Sequence, residues 1–156
     1  MHTTQHMTDP YTIEPASLRD LSGLRALEKV CFPQDAWPLL DLISVLTMPG
    51  VVRLKAMSAG QMVGFIAGDV RRTENVAWIA TIGVLPAYRQ RGIGAALLQA
   101  CEQNIPLSVL RLCVRTDNHA AILLYERFGY TRKGIWKAYY QDGAEALVME
   151  KVRGEQ

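Results

Sequence analysis

The sequence has 156 residues, 49% of them hydrophobic, and a formal net charge of +2 at pH 7. A chain of this length buries one hydrophobic core, so we expect residues 10–156 to form a single domain. The small net charge argues against general electrostatic binding of nucleic acid.

The N-terminal half is predicted to contain a short strand and two helices. Residues 1–9 are polar and aperiodic, which indicates a disordered lead-in. Tyr11–Ile13 is a short strand candidate, and Ser17 with Asp20 forms the capping-box pattern that begins a helix. Apolar residues at near-helical spacing continue this helix to about residues 31–33. A second short helix is expected over residues 35–47, before a Pro-Gly break.

Strands dominate the rest of the chain. An antiparallel meander is predicted over Val51–Met57, Met62–Val70 and Val76–Val84. The remaining predicted elements are a helix over Gly92–Asn104, a strand over Leu107–Val114, a helix begun by Asp117 or Asn118 and ended by Gly129, and two strands, Tyr130–Tyr139 and Ala144–Val152, joined by a hairpin turn at 141–143. The order β-α-α-β-β-β-α-β-α-β-β predicts an α/β (α+β) fold with a mixed, mostly antiparallel sheet flanked by helices.

The cysteines and the hydropathy pattern suggest a reduced, cytoplasmic protein. Cys31, Cys101 and Cys113 form no C-x-x-C pair, so neither a disulfide framework nor a metal site is predicted. No export signal or membrane span is visible, because the most apolar segment, Leu39 to Leu46, is interrupted by Asp41. We expect a monomer or a homodimer without direct nucleic-acid or membrane contacts.

The strongest functional signal is the turn between the Val76–Val84 strand and the next helix. It reads Arg89-Gln90-Arg91-Gly92-Ile93-Gly94-Ala95. Unpaired N–H groups and a partial positive charge at a helix start attract anions, and glycines let a phosphate approach the backbone. Seven residues separate Val84 from Gly92, which does not fit a Rossmann turn, and the Gly-Lys-Ser/Thr of a Walker loop is missing. An ordinary solvated connection is the other interpretation.

This turn matches the R/Q-x-x-G-x-G/A signature of the GNAT acetyltransferases, and Ile82–Tyr88 resembles that family's I-x-V-x-P-x-Y/F strand end. A second block, from Asn118 to Tyr130, is similar to N-x-x-A-x-x-L-Y-E-x-x-G-F/Y. The likeness covers about residues 11–150. It implies the GNAT fold and acetyl-CoA as the acetyl donor, held by Ile82, Gly83, Val84, Arg89, Gln90, Arg91, Gly92, Ile93, Gly94, Ala95, Asn118 and Tyr125.

Within this superfamily, the chain most resembles the RimI-type ribosomal-protein N-terminal acetyltransferases. Three segments carry the likeness: Cys31-Phe32 with Trp37, Val114-Arg115-x-x-Asn118, and the hairpin at 139–149. The resemblance implies a protein N-terminal α-amine as acceptor. It also implies a peptide groove walled by Phe32, Trp37, Tyr139 and Tyr140, for which strand and core packing is the alternative explanation.

The resemblance further implies direct attack of a primary amine on the acetyl thioester. Tyr125 would then be the general acid toward the departing sulfur, and N–H groups near Val84 would polarise the carbonyl. RimI-type enzymes carry a glutamate base where this chain has Cys113, which is either a small buried residue or a covalent nucleophile. Other carboxylates could reach the site, although we expect each at the surface: Glu28, Asp35, Glu74 and Glu145.

A site without a strong base favours a weakly basic acceptor. At pH 7, neutralising an α-amine of pKa about 7.8 costs about 1 kcal/mol, whereas a lysine of pKa about 10.4 costs about 4.6 kcal/mol. Two other functions remain open. The chain could acetylate a small-molecule amine, or it could be a catalytically silent acyl-CoA-binding sensor.

Overall fold

The computed structural model describes residues 10–154, so the predicted lead-in over residues 1–9 lies outside the described residues. The chain follows the predicted order of elements. Their bounds are β1 (Thr12–Pro15), α1 (Leu21–Cys31), α2 (Leu39–Thr47), β2 (Val51–Ser58), β3 (Gln61–Arg71), β4 (Val76–Val84), α3 (Ile93–Gln103), β5 (Val109–Arg115), α4 (His119–Arg127), β6 (Thr131–Trp136) and β7 (Ala146–Val152). Within residues 10–154, no helix is both long and apolar enough to cross a bilayer.

The strands form one mixed sheet. Its order is β1-β2-β3-β4-β5-β7-β6, and β4 with β5 is the one parallel pair among the described strands. The predicted β2–β4 meander and the β4-α3-β5 crossover are both confirmed. A parallel pair needs such a crossover, because its second strand must start again at the same end of the sheet.

Helices cover both faces of the sheet, and β3 is buried between them. On one face, Ile66 packs with a cluster that includes Leu97 of α3. On the other face, Phe65 packs with Leu24 of α1 and Leu42 of α2. Successive side chains of a strand point to opposite faces, so a strand covered on both sides is apolar at nearly every position.

The helix α1 begins after the predicted capping pattern. A short 3-10 turn, Leu18–Asp20, precedes it, and the Ser17 N–H donates to the Asp20 carboxylate at 2.9 Å. The next helix, α2, starts at Leu39 and not at residue 35 as predicted. Pro33 and Pro38 flank the segment between the helices, and proline restricts its preceding residue to extended backbone. Residues 32–38 therefore form a loop that lies beside the site.

The last two strands are shorter than predicted. They end at Trp136 and resume at Ala146, so residues 137–145 form a loop between β6 and β7. Ala138 has a positive φ of 51°, which interrupts the extended backbone. The predicted turn is nevertheless present, because Gly143 has a φ of 82° and its N–H donates to the Tyr140 carbonyl at 2.9 Å.

Candidate active site

The strands β4 and β5 separate part-way along their length. They pair only from Ala77 to Ile79 of β4, although β4 continues to Val84 and β5 to Arg115. The register of β3 with β4 also shifts beside Ala80, and such a bulge bends a strand. A cavity of about 910 Å³ lies where the two strands diverge.

One end of this cavity is the turn before α3. The first helical bond of α3 runs from the Ala96 N–H to the Gly92 carbonyl at 2.9 Å. The N–H groups of Ile93, Gly94 and Ala95 precede that bond, so they have no partner within the helix. Gly92 has a φ of 81°, in the left-handed region that glycine adopts freely. The turn therefore presents donors and a positive helix end to an anion, which fits the pyrophosphate of acetyl-CoA.

The two arginines of the turn are placed differently. Arg89 lines the cavity, and its Nε donates to the Val84 carbonyl at 2.9 Å. Arg91 does not line the cavity, and its guanidinium lies 5.1 Å from the centre of the Tyr88 ring. All the other residues that were predicted to bind acetyl-CoA line the cavity.

The β4 backbone lines the middle of the cavity. The Leu85 N–H donates to the Val63 carbonyl of β3 at 2.9 Å. Because backbone groups alternate sides along a strand, the N–H groups of Ile82 and Val84 face away from β3 and toward the gap. These are the donors that the sequence analysis expected beside the thioester.

Tyr125 and Asn118 reach the cavity from α4. Tyr125 is buried, lines the cavity, and packs edge-on against Tyr130 with ring centres 5.9 Å apart. Burial raises the pKa of its phenol, so the hydroxyl keeps its proton at neutral pH. The Asn118 side-chain oxygen accepts the Ala121 N–H at 3.2 Å and caps the helix, as predicted.

Aromatic side chains form another part of the cavity wall. Phe32, Trp37 and Tyr140 line it, whereas Tyr139 is half exposed and lies outside the wall. The Tyr139 ring bridges Tyr140 and Trp136, with centres 4.9 Å and 5.6 Å away. Three of the four residues that were predicted to bind the acceptor therefore line the cavity, and the fourth, Tyr139, lies outside it against Tyr140.

The prediction that the candidate carboxylates lie at the surface is wrong for Glu28 and for the partly buried Asp35. Glu28, expected at the surface, is 2% exposed and lines the cavity. Burial raises the pKa of its carboxyl to about 7, although the Thr81 hydroxyl and the nearby Trp37 backbone act in the opposite direction. Residue 28 follows Leu24 by four positions, so it belongs to the buried face of α1, and this helical spacing could have revealed it.

The other candidate carboxylates and Cys113 are less suited than Glu28 to act as a catalytic base or nucleophile. Asp35 lines the cavity but is paired with Arg115, whereas Glu74 and Glu145 are exposed as predicted. Cys113 also lines the cavity, and burial raises the pKa of its thiol despite a hydrogen bond with Tyr139. A neutral thiol is a poor nucleophile, so this environment favours the interpretation of Cys113 as a small strand residue.

Comparisons with known proteins agree with this geometry. The model of the acetyltransferase (GNAT) family matches residues 21–130. N-alpha-acetyltransferase RimI of Mycobacterium tuberculosis is 37% identical, over 95% of this chain and 96% of its own length. The chain belongs to the GNAT acetyltransferase family.

Two solved structures share the fold. Ribosomal-protein-S18-alanine N-acetyltransferase from Escherichia coli matches with a TM-score of 0.82 and 26% identity, over 94% of this chain and 97% of its own. Arabidopsis thaliana NAA60, solved with acetyl-CoA, matches with a TM-score of 0.83 and 20% identity, over 92% of this chain and 98% of its own. The protein is an acetyl-CoA-dependent N-acetyltransferase, and the predicted fold is confirmed.

In this GNAT enzyme, Arg115 connects the two loops that carry the predicted acceptor-binding residues. Its Nε and Nη2 donate to both oxygens of Asp35, at 2.8 Å and 2.9 Å. The same guanidinium donates to Asp142 in the β6–β7 loop, at 3.0 Å and 3.2 Å, and lies 4.4 Å from the centre of the Tyr140 ring. One charged group therefore fixes the spacing of the loops that carry the aromatic residues.

We expect Arg115→Gln to raise the KM for the acceptor by about tenfold. The two loops are then no longer held in place, and ordering them on binding costs about 1.4 kcal/mol of the acceptor's binding free energy. The affinity for acetyl-CoA should change by less than about twofold, since the phosphate-binding turn keeps its contacts. Steady-state kinetics with each substrate varied in turn measures both. Arg111→Gln is the matched control, because Arg111 lies on the same strand and pairs with Glu150 outside the cavity. A parallel loss of acetyl-CoA affinity in R115Q would contradict a role confined to the acceptor.

Proposed function

We propose that this acetyltransferase modifies the α-amino group of a protein N-terminus by direct transfer. One observation carries the proposal. The phosphate-binding turn, the buried Tyr125 and the aromatic acceptor wall line a single cavity. A donor held at one end and an amine entering at the other meet beside Tyr125, so the geometry needs no acetylated enzyme.

Acetyl-CoA supplies a thioester whose carbonyl carbon accepts the amine. The N–H groups of Ile93, Gly94 and Ala95, together with Arg89, Gln90 and Gly92, hold its pyrophosphate, and Arg91, outside the cavity wall, adds positive charge to the same turn. The Ile82–Val84 backbone and the Asn118 amide bind the arm between the two ends. Tyr125 donates a hydrogen bond to the leaving sulfur and transfers its proton to it, and the phenol regains a proton from the amine nitrogen.

The acceptor wall suits an N-terminal residue. Phe32, Trp37 and Tyr140 offer flat apolar surface to the first side chain of a peptide, and Tyr139 extends that surface outside the cavity. An α-amine also has a larger neutral fraction at pH 7 than a lysine, by a factor of roughly 400 for pKa values of about 7.8 and 10.4. The 37% identity to an N-alpha-acetyltransferase supports the same acceptor.

The experiment is a transfer assay with three acceptor classes and acetyl-CoA, read by mass spectrometry. The classes are peptides with free N-termini, lysine peptides with blocked N-termini, and small amines. We expect the free N-termini to react about 100-fold faster than the lysines. Faster reaction of small amines would replace the proposal with metabolite acetylation. Tight acetyl-CoA binding without any transfer would indicate the silent sensor.

We also propose a cytoplasmic location, where the thiols of Cys31, Cys101 and Cys113 would stay reduced. We propose that residues 10–156 form its single catalytic domain. A monomer or a homodimer, without direct nucleic-acid or membrane contacts, remains the predicted state.

A further inference from the structure

The carboxyl of Glu28 is a buried acid that lines the reaction cavity. Its Oε1 accepts a hydrogen bond from the Thr81 hydroxyl at 3.4 Å. Its Oε2 is buried, and no group in residues 10–154 donates a hydrogen bond of normal geometry to it, although the Trp37 backbone is close enough to the carboxyl to lower its pKa. Buried polar atoms are nearly always hydrogen-bonded, because removing them from water without a partner costs free energy. An unpaired carboxylate oxygen in a substrate cavity therefore points to a donor that arrives with the substrate.

The end of α1 places this carboxyl beside the reacting part of β4. Cys31, three residues later, donates its thiol to the Val84 carbonyl at 3.4 Å. A Cβ at Gly83 would meet the Phe32 ring at 3.2 Å and the Cys31 sulfur at 3.3 Å. The helix thus packs directly against the strand segment whose N–H groups face the gap.

Asp35, the other carboxylate of the cavity wall, is already paired. Both of its oxygens accept hydrogen bonds from Arg115. Bidentate pairing with a guanidinium occupies both oxygens, so neither is free to receive a proton from an amine. Among the described residues that line the cavity, Glu28 is therefore the carboxylate that forms no ion pair.

The remaining titratable groups of the wall do not serve as bases at neutral pH. Burial raises the pKa of the thiols of Cys31 and Cys113 and of the Tyr125 phenol, and it raises the pKa of Tyr140 to about 12. These groups keep their protons at pH 7. The charged groups that share the cavity with Glu28 are Asp35, Arg89, Arg115 and Arg127.

We propose that Glu28 is the general base of the transfer, which rests on the proposed acetylation of an amine in this cavity. The Glu28 carboxylate takes one proton from the incoming ammonium, and the neutral amine then forms the C–N bond. As the C–S bond breaks, the second proton that nitrogen must lose reaches the sulfur through the Tyr125 hydroxyl. The products are the amide, the CoA thiol and a protonated Glu28, which returns its proton to solvent.

The basicity of this carboxyl fits an α-amine. Its pKa of about 7 lies close to the roughly 7.8 of an α-ammonium, whereas an ordinary glutamate of about 4.3 would be a much weaker base. The carboxyl is therefore largely ionised just above neutral pH and still basic enough to take the proton.

The test is Glu28→Gln, assayed from pH 6 to pH 9.5 with an acceptor that the wild-type enzyme modifies. We expect kcat/KM at pH 7 to fall about 100-fold, with the Kd for acetyl-CoA within about twofold. The wild-type profile should rise through an inflection near pH 7 that the variant lacks. The difference in kcat/KM between E28Q and the wild type should become smaller above pH 9, because an α-amine is already neutral there. A rate and profile equal to the wild type would overturn the proposal.

Thermal unfolding separates catalysis from packing. Burial raises the pKa of Glu28 above its unfolded value, so its stabilising effect is present below about pH 4.5 and is lost as pH rises through about 7. E28Q should therefore have a higher Tm than the wild type at pH 8. A lower Tm at pH 8, with an equal loss of rate at every pH, would show a structural role and overturn the proposal.

Glu102→Gln is the matched control. Glu102 is also buried, but it bonds Tyr130 and Lys151 outside the cavity. E102Q should lower Tm while kcat/KM and its pH profile stay unchanged. The two proposals also fail separately. Small amines as the preferred acceptors, with E28Q still impaired, would remove only the N-terminal acceptor, whereas α-amine transfer unaffected by E28Q would remove only the base.

Discussion

Replacing Tyr125 with phenylalanine is expected to lower kcat by about 100-fold and to change the Kd for acetyl-CoA by less than about twofold. The change removes one oxygen from a buried ring and leaves its contact with Tyr130 in place. Within residues 10–154, no hydrogen bond of the fold uses this hydroxyl, so Tm should stay close to that of the wild type. Single-turnover kinetics and calorimetry measure the rate and the affinity.

The physical reason is that the hydroxyl acts only while the sulfur leaves. Burial raises the pKa of the Tyr125 phenol, so it holds its proton until negative charge develops on the sulfur. An interaction made only in the transition state changes kcat without changing ground-state binding.

Tyr130→Phe is the control for Y125F. The Tyr130 hydroxyl donates to Glu102 at 3.0 Å, and its ring is the neighbour of Tyr125, but it does not line the cavity. Y130F should lower Tm, because it leaves a buried carboxylate with one partner fewer, and it should keep kcat. If Y125F lost rate and acetyl-CoA affinity equally, Tyr125 would bind the donor and would not be its general acid.

The sheet and the anion-binding turn could be predicted because local signals determine them. The bounds of β4 match their prediction, since an apolar run between a polar turn and a proline leaves little choice. Gly92, in the predicted turn, and Gly129, at the predicted helix end, both have a positive φ. Such signals extend over a few neighbouring residues and need no knowledge of the tertiary contacts.

The acceptor side could not be predicted to the same extent because distant contacts shape it. Arg115 and Asp35 lie 80 positions apart in sequence and meet at 2.7 Å. The shortened β6 likewise follows from a loop that folds back to place Asp142 on Arg115. The spacing of Glu28 from Leu24 indicates the buried face of α1, but its place in the cavity depends on the contact of α1 with β4, where Thr81 donates to it.

Two substitutions at Gly92 test whether the turn before α3 binds the pyrophosphate of acetyl-CoA. We expect Gly92→Asp to weaken acetyl-CoA binding by about 100-fold, or about 2.7 kcal/mol, because a carboxylate would face the pyrophosphate at the start of α3. Gly92→Asn should weaken it by less than about fivefold. Isothermal titration with acetyl-CoA measures both, and the gap between the variants should narrow at high salt.

The comparison works because the two variants differ in charge and in little else. A Cβ at Gly92 meets no atom within 4 Å, so neither side chain is excluded by the fold. Both residues must adopt the same φ of 81°, which Asn and Asp tolerate better than other side chains, so backbone strain is shared. Equal losses in G92D and G92N would therefore indicate that no anion binds here. A loss confined to G92D shows that the helix end holds the phosphates, and it leaves the acceptor end of the cavity to decide which amine is acetylated.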